Sequence, residues 1–399
     1  MKQFRLRAVF MRGGTSKALM LRASDLPRGR ELWTPIFLAA LGSPDPNGRQ
    51  LDGMGGGISS LSKVCVIGPP TRPDADLDYT FAQVSVREAT VDYSGNCGNM
   101  SSAVGPFAID EGLVRPGVPD GDATVRIHST NTRKLIVAYF RLDEGCAAVD
   151  GDFRLPGVAG TGSAVRLEFL DPGGAGTGKL LPTGRASDAF DAADLRGIEV
   201  SMVDAANPCV FVEAAAVGAS GAETPEELEA NGRLLQRLEA IRISASLRMG
   251  IAGDMATAAR IPSIPKVAIV APARDARTLS GERVAADDAD LTVRMISIGQ
   301  PHRAVPLTGA MCLAVASRIE GTVAHRLARR AARGDDPVRI AQPSGITVIG
   351  ARVKHDRNGW LAESATVYRT ARRLMEGWVQ LRASALPENV RSALAAMAG

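Results

Sequence analysis

The chain has 399 residues, of which 45% are hydrophobic and 23% charged, and its formal net charge is only +4. This composition is typical of a globular protein long enough for two domains, and the small net charge gives little support for nucleic-acid binding. No stretch reaches the roughly 18 apolar residues of a membrane span, and the basic N-terminus has no apolar segment that would predict a signal peptide.

Strand-like segments dominate the chain. Short alternating or β-branched runs bounded by Gly, Pro, Asn and Asp predict strands at residues 77–86, 123–129, 134–140, 164–170, 208–214, 266–273 and 291–299. Helical periodicity predicts fewer helices, at residues 101–112, 224–250, 309–319, 365–381 and 388–398. This uneven succession favours an α+β fold over a regular alternation of strands and helices.

The two halves of the chain resemble each other weakly. SKVCVIGPP (62–70) is followed by NCGNMSSAVG (96–105), and PKVAIVAPA (265–273) is followed by LTGAMCLAVA (307–316). The paired segments start 203 and 211 residues apart, and Lys63 aligns with Lys266. A duplication predicts two pseudo-symmetric domains, 1–187 and 188–399, that meet at a cleft, with the C-terminal segment able to pack back on the first. Chance similarity between short segments is the alternative.

Cys97 lies between two Asn-Gly-type turns, in SGNCGNMSS, just before a predicted helix. The first N–H groups of a helix have no partner within the helix and favour an anion, so we expect Cys97 to be more acidic than a free thiol. Cys65, Cys146, Cys209 and Cys312 lie among apolar residues, which is typical of buried structural thiols.

Lys63 follows the glycine-rich GMGGGISSLS and precedes the apolar VCVI. A lysine at the start of a strand inside a cleft would be partly desolvated, and desolvation would lower the pKa of its ammonium group toward the range of a general base. An exposed lysine at a strand end is the alternative interpretation.

The loops MRGGTSKALML (11–21) and GGGISSLS (55–62) offer backbone N–H groups, hydroxyls and cations that suit carboxylates, although both could be ordinary hairpin loops.

Metal and nucleotide sites have little support in the sequence. The five cysteines form no Cys-x-x-Cys pair and the four histidines are scattered, so we predict no metal site, no disulfide framework and a reducing, cytoplasmic location. GGAGTGKL (173–180) matches part of a phosphate-binding loop, but Leu180 stands where the magnesium-binding Ser or Thr would be required.

Six segments in order, MRGGTSKA, GGGISSLSKV, SGNCGNMSSAVGPFAI, GGAGTGKLLPTG, ANPCVFV and PHRAVPLTGAM, resemble the PrpF family. That family includes 2-methylaconitate isomerases, 4-oxalomesaconate tautomerases and methylitaconate isomerases. The resemblance implies a diaminopimelate epimerase-like fold, in which two similar domains each wrap a β-barrel-like sheet around a central helix and share an active site in the interdomain cleft.

The resemblance further implies a cofactor-independent 1,3-allylic proton shift in a small unsaturated di- or tricarboxylate. Lys63 would be the general base and acid, and Cys97 the second catalytic residue. Thr308 stands where the repeat places a second cysteine, which disfavours the two-thiol mechanism of the related epimerases. We expect substrate contacts from Arg12, Thr15, Ser16, Lys17, Ser59, Ser60, Asn96, Gly98, Asn99, Met100, Lys266, His302, Thr308, Gly309 and Ala310.

Two other functions stay open on the sequence. One is a non-catalytic accessory partner of a dehydratase, which an intact Lys63 and Cys97 disfavour. The other is an epimerase or racemase of a small carboxylic acid, which needs acid/base groups on both faces of the substrate. A homodimer with no nucleic-acid or membrane partner completes the prediction.

Overall fold

A computed structural model describes residues 3–190, 195–297, 299–329, 336–357 and 359–398. The strands are β1 Gln3–Gly13, β2 Ser16–Arg22, β3 Lys63–Gly68, β4 Leu77–Val84, β5 Val91–Asp92, β6 Gly121–Ser129, β7 Lys134–Asp143, β8 Cys146–Ala147, β9 Val165–Leu170, β10 Asp188–Ala189, β11 Glu199–Asp204, β12 Pro208–Glu213, β13 Lys266–Pro272, β14 Ala276–Arg277, β15 Arg283–Val284, β16 Leu291–Ser297, β17 Gln300–Pro301, β18 Val338–Gln342, β19 Gly345–Asp356, β20 Gly359–Arg369 and β21 Ala371–Arg382. The α-helices are α1 Trp33–Leu41, α2 Gly98–Asp110, α3 Pro225–Ala230, α4 Gly232–Arg248, α5 Met255–Arg260, α6 Leu307–Ala316, α7 Val323–Leu327 and α8 Glu388–Ala398. Within these described ranges, no helix is both long and apolar enough to cross a membrane.

The chain divides into two compact units. The first takes the residues up to Leu167 together with Arg369 onward, and the second is Glu168–Tyr368. This division differs from the predicted boundary between residues 187 and 188 and assigns the C-terminal segment to the first unit. The physical reason is strand pairing, because β21 pairs antiparallel with β1 from Gln3↔Arg382 to Gly13↔Ala371.

In the first unit, β21, β1, β2, β3, β4, β6 and β7 pair in that order. The β2–β3 and β4–β6 pairs are parallel and the others antiparallel. Helix α2 contacts six of these strands, β21, β1, β2, β3, β6 and β7. Its residues, GNMSSAVGPFAID, are mostly small or apolar on all sides of the helix. Nearly all of them are buried, as expected for a central helix. Gly105 permits the approach, since a Cβ there would lie 2.7 Å from the Phe140 ring. Helix α1 packs on the opposite side of the sheet, against Leu19, Leu21, Val64 and Val66.

The second unit repeats this topology. Strands β10, β11, β12, β13, β16, β18 and β19 pair in that order, again with two parallel pairs, β12–β13 and β16–β18. Helix α6 contacts β11, β12 and β19, and α4 occupies the place in the chain order that α1 has in the first unit. Lys63 and Lys266 each begin the fourth strand in these two orders. The predicted duplication is therefore confirmed. The described strands of each unit do not close into a barrel.

One predicted helix is wrong. Residues 365–381 form the end of β20 and most of β21. Val379 and Leu381 are buried while Trp378 and Gln380 are exposed, which is the period of two that a strand requires. Pairing with β1 along the whole strand outweighs the helical propensity of this Arg- and Leu-containing segment.

Candidate functional site

The β1–β2 hairpin touches the start of the central helix. Its two-residue turn is Gly14–Thr15, and Gly14 adopts a φ of 53°, which glycine tolerates best. A Cβ on Gly13 would lie 2.7 Å from the Asn99 carbonyl oxygen, and one on Gly14 would lie 2.3 Å from Asn99 Oδ1. Asn99 Nδ2 donates a hydrogen bond of 3.1 Å to Thr15 Oγ1. The two glycines therefore let the hairpin dock on the helix start.

Lys63 is buried, with 7% of its surface exposed. It lies beside the hairpin, because Ala18 of β2 pairs with Lys63 in the parallel register. Its Nζ donates to Gln83 Oε1 and lies 5.1 Å from the centroid of the Phe81 ring. Gln83 Nε2 in turn donates to the carbonyl oxygens of Ser59 (3.0 Å) and Ser62 (2.9 Å). The lysine is thus fixed next to the turn that carries Ser59 and Ser60.

Cys97 is the residue that precedes the first turn of α2, and it is partly exposed. Its thiol makes no capping hydrogen bond, whereas its carbonyl oxygen accepts from Ser101 N (2.9 Å) and Ser101 Oγ (3.1 Å). The N–H groups of the first helical turn, from Gly98 onward, are the ones that an α-helix leaves without partners of its own. An anion near the Cys97 thiol would therefore meet the positive end of the helix.

Lys63 and Cys97 face the same side of the sheet. Val64 and Val66 point to the α1 side, so the pleat turns Lys63 and Cys65 toward α2. Burial raises the pKa of the Cys65 thiol, and the charges of Cys97 and Lys63 act on the same thiol in opposite directions. Lys63 and Cys97 thus both lie near the buried thiol of Cys65.

Arginines surround the hairpin and the helix start. Arg369 Nε donates to Asn99 Oδ1 at 3.1 Å, and burial lowers the pKa of Arg369 to about 10. The pKa of Arg12 is also lowered, first by burial and then by the like charge of Arg372, its cross-strand neighbour. Arg12 Nη1 donates to the carbonyl oxygens of Gly14 and Thr370. Arg369 is buried, whereas Arg12 is only half-buried.

Not every predicted residue of the hairpin faces the helix. Ser16 is 3% exposed and pairs with Gly13, so it lies on the helix side. Lys17 pairs with Arg12, and its Nζ lies 5.6 Å from the ring centroid of Phe10, which packs against the α1-side core. The structure therefore brings neither Lys17 nor its cross-strand partner Arg12 to the side of Lys63, because paired residues share a face and one position along a strand reverses it.

At the helix start, Asn96 Nδ2 lies 3.3 Å from Ser101 Oγ. Met100 is fully buried, so its side chain packs in the core.

Sequence reasoning missed two residues of this site, Gln83 and Arg369. The alternation in LDYTFAQV was the available signal for Gln83, because it puts Tyr79, Phe81 and Gln83 on one face of β4. Arg369 was missed because residues 365–381 were predicted to form a helix, whereas Arg369 ends strand β20.

The second unit holds the counterpart residues. Lys266 Nζ lies 3.4 Å from the Ser263 carbonyl oxygen, and its Cδ lies 4.0 Å from where a Cβ on Gly309 would be. His302 Nε2 is buried without a hydrogen-bond partner among the described residues. Burial and the charge of Lys266 lower the pKa of His302 to about 4, so the ring is neutral near pH 7. Thr308, Gly309 and Ala310 lie in the first turn of α6 and are buried.

The remaining motifs have structural roles. Asp204 Oδ2 accepts from Gly176 N (2.8 Å), Thr177 N (2.6 Å) and Thr177 Oγ1 (2.8 Å), so the chain's own carboxylate fills the phosphate-loop-like segment. Of the cysteines that were predicted to be buried, Cys65, Cys209 and Cys312 are, but Cys146 is exposed because it lies in the short strand β8 at the surface. No group of three or more His, Cys, Asp or Glu side chains in the described ranges could hold a metal ion.

A cavity of about 640 Å³ lies elsewhere in the first unit. Its lining includes Trp33, Val66, Asp78, His128 and Arg133, and none of the predicted site residues. Val66 marks the α1 side of the sheet, opposite to Lys63. This cavity is therefore separate from the candidate site.

Comparison with known proteins decides the family. The model described as PrpF protein matches residues 3–382. The chain belongs to the PrpF family. It is 42% identical to the 3-methylitaconate isomerase of Eubacterium barkeri, over 96% of this chain and 99% of that protein. It is 39% identical to the 2-methyl-aconitate isomerase of Cupriavidus necator (95% and 98%) and 36% identical to the 4-oxalomesaconate tautomerase of Pseudomonas putida (95% and 97%). Like these PrpF relatives, the chain is an isomerase.

Solved structures agree with the fold. The crystal structure of a methylitaconate-delta-isomerase matches with a TM-score of 0.83 at 41% identity, over 97% of this chain and 98% of that one. A probable proline racemase from Agrobacterium radiobacter matches with a TM-score of 0.52 at 13% identity, over 96% and 95%. This PrpF protein therefore has the diaminopimelate epimerase-like α+β fold that the sequence predicted.

Proposed function

We propose that this PrpF protein catalyses a cofactor-independent 1,3-allylic proton shift in a small unsaturated di- or tricarboxylate. The observation that carries the proposal is a buried Lys63 on the same sheet face as Cys97, at the positive end of a central helix. The names of the PrpF relatives, which are isomerases and a tautomerase of methylitaconate, methylaconitate and oxalomesaconate, support this substrate class.

In the proposed reaction Lys63 acts as a free amine and removes a proton from the carbon gamma to a carboxylate or keto group. The negative charge that develops spreads over the oxygens of a dienolate. N–H groups at the start of α2, around Gly98, stabilise that charge as a preorganised oxyanion site does. Return of the proton to the other end of the three-carbon unit moves the double bond.

Lys63 can return the proton itself, or Cys97 can supply it. The two residues lie on one side of the sheet, and both influence the same buried thiol of Cys65. Lys63→Ala should therefore nearly abolish turnover, whereas Cys97→Ser, which keeps a smaller and less acidic donor, should reduce it less.

Substrate carboxylates are proposed to bind at the hairpin and the helix start. Arg369 supplies positive charge next to Asn99, and Thr15, Ser16 and Asn99 supply hydrogen-bonding groups beside it. The predicted ligand Arg12 shares the face of Lys17 and is left out of this set. The other proposed contacts are the remaining predicted residues of the first unit, Ser59, Ser60, Asn96 and Met100. Losing one donor that stabilises the transition state typically costs about 2–4 kcal/mol.

The test is an absorbance screen with 3-methylitaconate, 2-methylaconitate and 4-oxalomesaconate, run in deuterium oxide. We expect one acid to isomerise and deuterium to enter its product. Lys63→Ala should lose this activity by several orders of magnitude while it keeps the wild-type circular dichroism spectrum. Near-normal turnover by Lys63→Ala would show that the base has been assigned to the wrong residue.

We also propose a cytoplasmic homodimer without nucleic-acid or membrane partners. All five cysteines are free, which suits a reducing compartment. Trp378 on β21 exposes 51% of its surface, and aromatic side chains are enriched at protein interfaces. Light scattering coupled to gel filtration would test the dimer, and Trp378→Lys should shift the protein toward monomer.

A further inference from the structure

The side-chain amide of Gln83 connects Lys63 to the turn Ser59–Leu61. Lys63 and Gln83 are directly opposite on β3 and β4, and Lys63 Nζ donates to Gln83 Oε1. On the other side, Gln83 Nε2 donates to the carbonyl oxygens of Ser59 and Ser62. An amide nitrogen can only donate and these carbonyls can only accept, so the turn fixes the orientation of the amide. Its oxygen must then face Lys63.

We propose that Gln83 is the positioning residue of Lys63, holding the amine toward the substrate with an uncharged acceptor. This inference rests on the proposed function of Lys63 as the proton carrier. Gln83 acts through Lys63 and not on the reacting atoms, and the same amide holds the backbone turn that carries Ser59 and Ser60. One side chain thus sets the distance between the base and the hydroxyls beside it.

Gln83 is uncharged, and this property suits a neighbour that has to accept a proton. Of the titratable groups nearby, Cys65 lies on the same strand face as Lys63, and Lys63, Cys97 and Tyr79 all act on the Cys65 thiol. In the described part of the chain, no carboxylate lies within ion-pair distance of the Lys63 amine. A carboxylate at position 83 would hold the ammonium form, which cannot accept a proton, whereas an amide oxygen orients the amine without that penalty.

Two variants separate these roles. Gln83→Met keeps the length of the side chain and removes its hydrogen bonds. With 3-methylitaconate as the probe, we expect kcat to fall about 10- to 100-fold with little change in KM, because the base is misplaced and the substrate contacts remain. Gln83→Glu keeps an acceptor and adds a charge, so the rising limb of the pH–rate profile should move up by roughly 1–3 pH units. Gln380→Met, at an exposed strand glutamine, is the matched control and should behave as wild type.

A second measurement does not depend on turnover. The chain has seven lysines, so ¹³C,¹⁵N-lysine labelling gives few side-chain NMR signals, and the signal that Lys63→Ala lacks belongs to Lys63. In Gln83→Glu this signal should titrate at higher pH than in wild type. Wild-type kcat and pH profiles in both variants, with an unmoved Lys63 titration, would overturn the inference. A moved titration together with full activity of Lys63→Ala would instead overturn the proposed function and support the contact between Gln83 and Lys63.

Discussion

Glu111 anchors the central helix at the end opposite to Cys97. Its side chain is 5% exposed and receives five hydrogen bonds from Arg7, Arg22 and Arg373, at 2.6–3.2 Å. These arginines lie on β1, β2 and β21, so one carboxylate ties the C-terminal end of α2 to three strands. A negative charge at a helix C-terminus is unfavourable by itself, and the three guanidinium groups reverse that effect.

Glu111→Gln should reduce the free energy of unfolding by about 2–3 kcal/mol. Removing one partner of a buried ion pair costs about 3–5 kcal/mol, and we reduce this value because the arginine side chains are 22–48% exposed. Urea unfolding at pH 7 measures the loss. Glu376→Gln is the matched control, because Glu376 also pairs with Arg373 but is 70% exposed, so its loss should stay below about 1 kcal/mol.

The effect of Glu111 should depend on pH. Burial alone would raise the pKa of Glu111, but the hydrogen bonds and charges of Arg22 and Arg373 outweigh it and hold the pKa below its usual value. The stabilisation is therefore complete above the unfolded pKa, near 4.3, and disappears as the pH falls through the folded value. Equal losses in Glu111→Gln and Glu376→Gln, or a difference that does not shrink in acid, would refute the reasoning.

Two further predictions concern the predicted ligand groups. Arg369→Gln should raise KM for the active acid about 10- to 100-fold, because a charged hydrogen bond is worth about 1.5–3 kcal/mol, while Arg372→Gln, at an exposed position, should change initial rates little. His302 has a pKa near 4 when folded and about 6.5 when unfolded, so between these values the unfolded chain binds the extra proton and stability falls as the pH is lowered. Urea unfolding of His302→Gln should show a weaker loss between pH 6.5 and 4, and an identical slope would contradict the buried neutral ring.

The sequence predicted those features that depend on local pattern. The repeat placed Lys63 and Lys266 at equivalent strand starts, and the small residues around Cys97 marked the start of a helix. The structure adds what depends on pairing between distant segments. Arg369 reaches Asn99 only because the following strand, β21, pairs with β1. No local sequence pattern predicts this pairing between the two ends of the chain. Lys17 lies in the predicted loop, but its face is set by strand register, which the loop sequence does not contain.

The two units show how a duplicated scaffold has diverged in chemistry. Lys63 is buried and held by Gln83, whereas Lys266 is half-buried beside a neutral His302. Cys97 precedes the first turn of α2, but Thr308 lies inside the first turn of α6. A hydroxyl of this kind is too weak an acid to share a proton with a thiol at neutral pH. The topology therefore supplies two similar helix starts that carry different side chains, and the absence of a second thiol at Thr308 is what disfavours a two-thiol stereoinversion.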